Sequence, residues 1–227
     1  MLPTSETYQT LLRDPNHRKE IQLIIDGVPY RRGLRNLHTA SIRRELLTAS
    51  MPIGNACAAR LTALVLHGQT IPRMARVEAY VALSSGDTMS EWLPAGVYFI
   101  DTRSQEGDFL RITCYDSMLK AETQYFKTGE WEDQSMLATA QEIAGRMGVE
   151  LDSRTVVSDV YMVRWPNDAT MREVLAYIAA AHGGNWVITA ENKLRLVPYG
   201  DVPAETDYIV DEHGDAILIG GVRIRWR

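Results

Sequence analysis

The chain is poor in the residues that most often announce a chemistry or a compartment. It has two cysteines, Cys57 and Cys114, in 227 residues. Neither has a second Cys or a His at metal-finger spacing. Each lies in an apolar stretch, Asn55–Ala59 and Ile112–Tyr115. They read as buried free thiols, which fit a reducing compartment. No apolar run approaches the about 18 residues that a bilayer span needs. The N-terminal residues Met1-Leu-Pro-Thr-Ser-Glu6 lack the basic and then apolar segments of a secretion signal. The expectation is a protein made and folded in the cytoplasm, without a membrane span. A positive excess is missing too: 24 Lys and Arg face 29 Asp and Glu, a net charge of -5. No specific nucleic-acid partner is expected from that balance.

Catalytic signatures are also lacking. There is no Gly-x-Ser-x-Gly elbow, no phosphate-binding Gly-x-x-x-x-Gly-Lys, no Gly-x-Gly-x-x-Gly and no His-Glu-x-x-His. None of His17, His38, His67, His182 and His213 lies within four residues of another. No metal, no cofactor and no catalytic residue is assigned, and the chain is not expected to be an enzyme. Three clusters have a chemical reading beside a plainer one. Cys57, ten residues before His67, invites a nucleophile–base pair, but its flanking alanines suit a small core residue. Asp211-Glu-His-Gly-Asp215 offers carboxylates to a divalent cation, or is a solvated turn between strands at Tyr208–Val210 and Ala216–Ile219. The basic run Arg31, Arg32, Arg35, His38, Arg43 and Arg44 reads as a solvated or subunit-contacting surface, with phosphate contact as the alternative. Trp131, Trp165, Trp186 and Trp226 read as core and interface anchors rather than a ligand cage.

What is present is an ordinary globular composition, 45% hydrophobic and 23% charged, enough for a sizeable core in one or two domains. Thr4 or Ser5 caps a short helix with Tyr8, Leu11 and Leu12 on one face. Ile21–Ile25, the turn Asp26-Gly27 and Val28–Tyr30 form a hairpin. Pro29 cannot donate to a ladder, so the second arm is an edge. Strands follow at Arg60–Leu66, Ala75–Leu83, Gly96–Thr102 and Phe109–Tyr115, separated by turn residues. Residues 1–120 are therefore read as mainly β, a small antiparallel barrel or sandwich, with the barrel-like form preferred.

From about residue 117 the period changes. Ser117–Glu122 opens a helical turn. Met136, Ala140, Ile143, Ala144 and Met147 recur at helical spacing between the cap Ser135 and the stop Gly148. Thr170 and Glu173 form a capping-box pair ahead of the stripe Val174, Leu175, Ile178 and Ala181, which Gly183-Gly184 ends. Trp186–Thr189 and Lys193–Val197 make a hairpin around Glu191-Asn192. Residues 121–205 read as a compact α+β domain, helices plus a β-hairpin, so the fold class is α+β. In 206–227 the alternating Val222-Arg-Ile-Arg-Trp-Arg227 is a strand that pairs back or leads into a further domain.

Charge is unevenly spread. Residues 1–60 carry nine Lys and Arg against five Asp and Glu, and the remainder fifteen against twenty-four. Two differently charged surfaces explain this. The sharper reading is complementary charge between subunits.

Three stretches together resemble the tail-hub family of tailed phages and contractile injection machines: baseplate hubs, tail-tip proteins and valine-glycine-repeat spike hubs. They are the Asp26-Gly27 hairpin closing on Tyr30; Leu93–Asp101 with Leu110–Asp116 and Met118–Lys120; and Thr170–Trp186 with Lys193–Pro198. The resemblance implies a ring-forming homo-oligomer, a trimer favoured. Its partners would be a distal-tail or tail-tube protein, a tape-measure protein and a spike or fibre protein. It would be located in the virion tail, assembled in the host bacterial cytoplasm. Pro29, Tyr30, Val222, Ile224 and Trp226 are the residues expected at oligomer or partner interfaces. Two other functions stay open: a cell-wall-degrading tail hydrolase using Cys57 or His67, and a host-surface glycan-binding module using Trp92, Trp131 or Trp165.

Overall fold

Asp26 and Gly27 both adopt positive φ, 47° and 85°. That is the two-residue geometry whose twist matches the strands it joins, and glycine takes it without strain. In the computed structural model, which describes residues 4–46, 52–66, 71–126, 134–163 and 169–199 and the backbone of 218–219 and 222–223, this turn joins β1 (Arg18–Ile25) to β2 (Val28–Arg31). Ahead of them, α1 (Glu6–Arg13) is capped by Ser5, whose Oγ accepts from the Tyr8 N–H at 3.1 Å. Leu11 alone of the expected apolar face is buried, and Leu12 is exposed. Neighbouring helical side chains point about 100° apart, and α1 lies on the barrel by one side only.

The remaining barrel strands are β3 (Leu37–Arg43), β5 (Arg60–Leu66), β6 (Arg76–Ser85), β7 (Thr88–Met89), β8 (Leu93–Glu106) and β9 (Phe109–Asp116), with β4 (Asn55–Ala56) between β3 and β5 in sequence. They form one antiparallel sheet in the order β2-β1-β6-β8-β9-β5-β3, with β7 beside β6. The sheet curls until it nearly closes into a barrel, as the apolar alternation predicts. Inward-facing Leu23, Leu61, Val65, Val77, Tyr98, Ile100, Ile112 and Cys114 are all essentially inaccessible. Each large side chain among them contributes about 1.5–3 kcal/mol by leaving water. β8 is twice as long as the alternation suggests, because a bulge between Ile100 and Thr102 shifts its phase.

A second core lies over a smaller sheet. Asp116 caps a 3-10 turn, Ser117–Glu122, by accepting from the Met118 N–H at 3.0 Å. Then come β10 (Gln134–Ser135), α2 (Met136–Met147), β11 (Glu150–Leu151), β12 (Met162–Val163), α3 (Met171–Ala181), β13 (Gly184–Ile188) and β14 (Lys193–Pro198). Ser135 caps α2, and Gly148 ends it in the left-handed region. The capping box of α3 is complete: Glu173 N–H donates to Thr170 Oγ1, and Thr170 N–H donates to Glu173 Oε2 at 2.7 Å. Gly183 reverses the chain, and Gly184 already begins β13. The sheet order is β11-β14-β13-β4. Its outer pairs, β4 with β13 and β11 with β14, are parallel. So β4, from the barrel half of the sequence, completes the second sheet. Gly54 allows this, because a Cβ there would stand 3.0 Å from Ala180 Cβ. Trp186, Ile143, Met147, Leu175 and Ile178 fill the core between sheet and helices.

Pro198–Arg227 form a separate unit. Within it, β15 (Leu218–Ile219) pairs antiparallel with β16 (Val222–Arg223).

Candidate functional site

The barrel sheet has two ends, β2 and β3, and unpaired strand edges are where another chain has most to gain. One part of the gap is already closed. Arg35 stands in the left-handed region at φ 56° and presents Asn36 to β2. The Asn36 Oδ1 accepts from the Arg31 N–H, and its Nδ2 donates to the Pro29 carbonyl, both at 2.9 Å. β2 is thus an edge, as Pro29 predicts, with its outward backbone groups satisfied there.

Beyond β2 the seam is open. β2 pairs with β1 only over Gln22–Ile25, whereas β1 begins at Arg18 and pairs with β6 along its whole length. β3 pairs with β5 alone. Arg18–Ile21 and β3 therefore face one another across a small cavity of about 130 Å³ lined by Lys19, Glu20, Ile21, Arg32 and His38 among others.

The residues expected at interfaces are placed unequally. Pro29 is exposed on β2. Tyr30 points into the barrel core at 7% exposure, and burial pushes its hydroxyl pKa up. Its side chain holds β2 to the barrel. Val222 belongs to β16, while Ile224 and Trp226 lie outside the described residues.

The basic run divides. Arg31, Arg32, Arg35 and His38 are exposed, with His38 packed on Phe109. Arg43 pairs with Glu45 at 2.5 Å. Arg44, also exposed, donates to the Ala95 carbonyl.

The candidate nucleophile lies in the interior. Cys57 is buried, its Sγ lies 3.4 Å from the Leu46 carbonyl, and burial pushes the thiol pKa up despite Arg172. A reactive cysteine needs the opposite shift. His67, the Asp211–Asp215 cluster, Trp131 and Trp165 lie outside the described residues. Trp92 is half-buried and Trp186 fully buried. Among the described residues no three His, Cys, Asp or Glu side chains gather to hold a metal, and no helix is long and apolar enough to cross a membrane.

A larger cleft of about 630 Å³ lies where the barrel end meets the second sheet, lined by Arg44, Cys57, Asp116, Asp152, Lys193 and Arg195 among others. Its charges are largely spent on one another. Arg154 grips Asp152 through Nε at 2.7 Å and Nη2 at 2.5 Å, holding that carboxyl well below the usual range. Lys193 lies 3.4 Å from Glu150. The Arg195 Nε is buried without a hydrogen-bond partner among the described residues. Asn185 is the structural centre of the neighbouring wall. Its Nδ2 donates to the Leu46 and Pro52 carbonyls at 2.8 and 2.7 Å, and its Oδ1 accepts from the Asn55 N–H at 2.8 Å. Sequence reading passes over both Asn36 and Asn185, because an isolated Asn carries no periodic signal. A polar residue inside an apolar strand, as in Gly184-Asn-Trp-Val-Ile188, is the one available hint.

The architecture defines an α+β protein in which a nearly closed antiparallel barrel runs through a capped turn into a helix-covered sheet. No protein-family model matches the sequence, and no curated protein matches it. Solved structures share the fold. The 43 kDa tail protein of prophage MuSo2 from Shewanella oneidensis is similar at a TM-score of 0.54 with 15% identity, over 88% of this chain and 61% of that one. The tail protein from Neisseria meningitidis MC58 is similar at a TM-score of 0.51 with 8% identity, over 88% of this chain and 53% of its own. The chain thus spans between about half and three fifths of these two structures.

Proposed function

We propose that the chain is a structural subunit of a phage or prophage tail, working at the tail tip or baseplate as a hub that joins the tail tube to a spike or fibre. Copies assemble into a ring, a trimer favoured. A tail-tube or distal-tail protein and the tape measure bind on one side, and the spike or fibre on the other. Pro29, Tyr30, Val222, Ile224 and Trp226 lie at the oligomer or partner interfaces, Tyr30 by securing the edge strand from within. The chain is assembled in the host bacterial cytoplasm and resides in the virion tail.

The observation that carries this reading is the fold shared with two tail proteins over 88% of the chain, through barrel and second layer alike. The barrel supports it physically. A sheet with two free ends gains by association, and a hub works through shape, so it needs no reactive group. Burial of Cys57, which pushes its thiol pKa up, weighs against that residue as a nucleophile.

Light scattering on the size-exclusion peak of the full chain, with electron microscopy, should show a closed ring. Gold-labelled antibody should decorate the tail tips of induced particles. A strictly monomeric protein at high concentration, with unlabelled tails, overturns the reading.

A further inference from the structure

We propose that the open half of the barrel seam is a strand-docking slot, and that it receives the acidic segment 201–215 of a second copy of the chain. This deepens the tail reading by naming how copies join, and its test is separable from that reading.

The slot lies where β2 ends and the two facing strands are each paired on one side only. β2 already occupies it beside Gln22–Ile25 and stops at Arg31. Below that point, β1 and β3 scarcely come within 8 Å of each other at Cα. A strand laid between two others needs about 9.6 Å, two inter-strand spacings. In strands paired on one side only, alternate residues turn both N–H and C=O to the empty side. Arg18–Ile21 and β3 therefore offer unpaired backbone groups to the gap from both walls. β1 and β3 run in opposite directions, so an added strand is antiparallel to one and parallel to the other, as β2 is.

The rim selects the occupant. Lys19 and Arg32 line the slot beside Glu20, and both are exposed, as are Arg18, Arg31 and Arg35 close to them in sequence. None of them makes an ion pair among the described residues, although Arg43, Arg73, Arg76 and Arg111 elsewhere on the barrel each do. Unneutralised like charge beside free backbone groups favours an extended strand of opposite charge. The chain itself contains one. Residues 201–215 hold six Asp and Glu and no Lys or Arg, around the β-forming Tyr208-Ile-Val210. The other strand-like segment near the C-terminus, Val222–Arg227, carries Arg223, Arg225 and Arg227 and would be repelled.

The test uses the full chain in sedimentation velocity. Lys19→Glu with Arg32→Glu reverses exposed rim charges and leaves the barrel core untouched. Asp207→Lys with Asp211→Lys reverses the occupant. Each pair should weaken self-association at least about tenfold, and an equimolar mixture of the two variants should regain pairing through the swapped charges, in species where the two variants alternate. A synthetic peptide of residues 205–212 should compete with wild-type association, and the same peptide N-methylated at alternate backbone nitrogens should not. The proposal is overturned by a wild type that does not self-associate. It is equally overturned by association that ignores both charge reversals, by a mixture that stays dissociated, or by a peptide that competes equally well when methylated. A thymidine oligonucleotide bound by wild type and lost on rim reversal, with self-association unchanged, would assign the rim to nucleic acid and also overturn it. Rings that form regardless of the rim charges would leave the tail reading standing without this slot. Seam-dependent pairing with unlabelled tails would do the reverse.

Discussion

Ala59 and Asp116 hold each other twice: the Ala59 N–H donates to Asp116 Oδ2 at 2.8 Å, and the Asp116 N–H donates to the Ala59 carbonyl at 3.1 Å. The same carboxylate accepts from the Met118 N–H at 3.0 Å. One side chain thereby joins the entry of β5, the exit of β9 and the first turn of the second layer.

That joint should be sensitive to pH. Burial pushes the Asp116 carboxyl up to about 7, against the pull of the Ala59 and Met118 N–H groups and of Arg44 and Arg172. The folded pKa lies above the unfolded one, so the stabilisation is complete below the unfolded value and is lost as pH rises through about 7. Urea midpoints of the wild type should fall between about pH 5 and pH 8, and Asp116→Asn should flatten that fall. The variant should also lose about 1–3 kcal/mol at the acidic end, because its amide NH₂ opposes an N–H donor. Parallel pH profiles for the two proteins would count against this account.

Asn185 predicts a second joint. At 2% exposure it satisfies the carbonyls of Leu46 and Pro52 and the Asn55 amide. Asn185→Ala should cost about 2–4 kcal/mol, since hydrogen bonds are lost and buried partners are orphaned. Asn185→Asp should be no better than Ala, because a carboxylate oxygen would face two carbonyls. Equilibrium denaturation of the three proteins measures both effects.

The cap of α3 is a local device with a local cost. Thr170→Ala should destabilise by about 1 kcal/mol, and Thr170→Ser should recover most of it. Thermal unfolding followed by circular dichroism is sufficient. An Ala variant as stable as wild type would show that packing of α3 alone fixes its start.

Both thiols should be inert in the native state. Burial pushes Cys114 up to about 12 and raises Cys57 as well. A chromogenic disulfide reagent should titrate neither quickly, and both after denaturation. Rapid native labelling of Cys57 would reopen the question of a nucleophile.

Local sequence signals were legible where one segment carries the whole instruction. The Asp26-Gly27 turn, the Ser135 and Thr170 caps and the period change near residue 117 are of this kind. β3 carries no such signal, because a bulge between Leu37 and Thr39 breaks its alternation, and its His38 and Arg43 read as part of a basic surface run. β4 carries none either, because it is two residues long and pairs with β13, across the span from Asn55 to Asn185.

The sequence by itself determined the turns, the helix ends and the apolar faces of the strands, since each depends on residues close together in the chain. Only the tertiary structure decided that Asn55–Ala56 would complete the second sheet, that Asp116 would be buried between two layers, and that β2 would stop short along β1. Those outcomes depend on which distant backbone groups are left to satisfy once the cores have packed, and no single stretch of sequence contains that account.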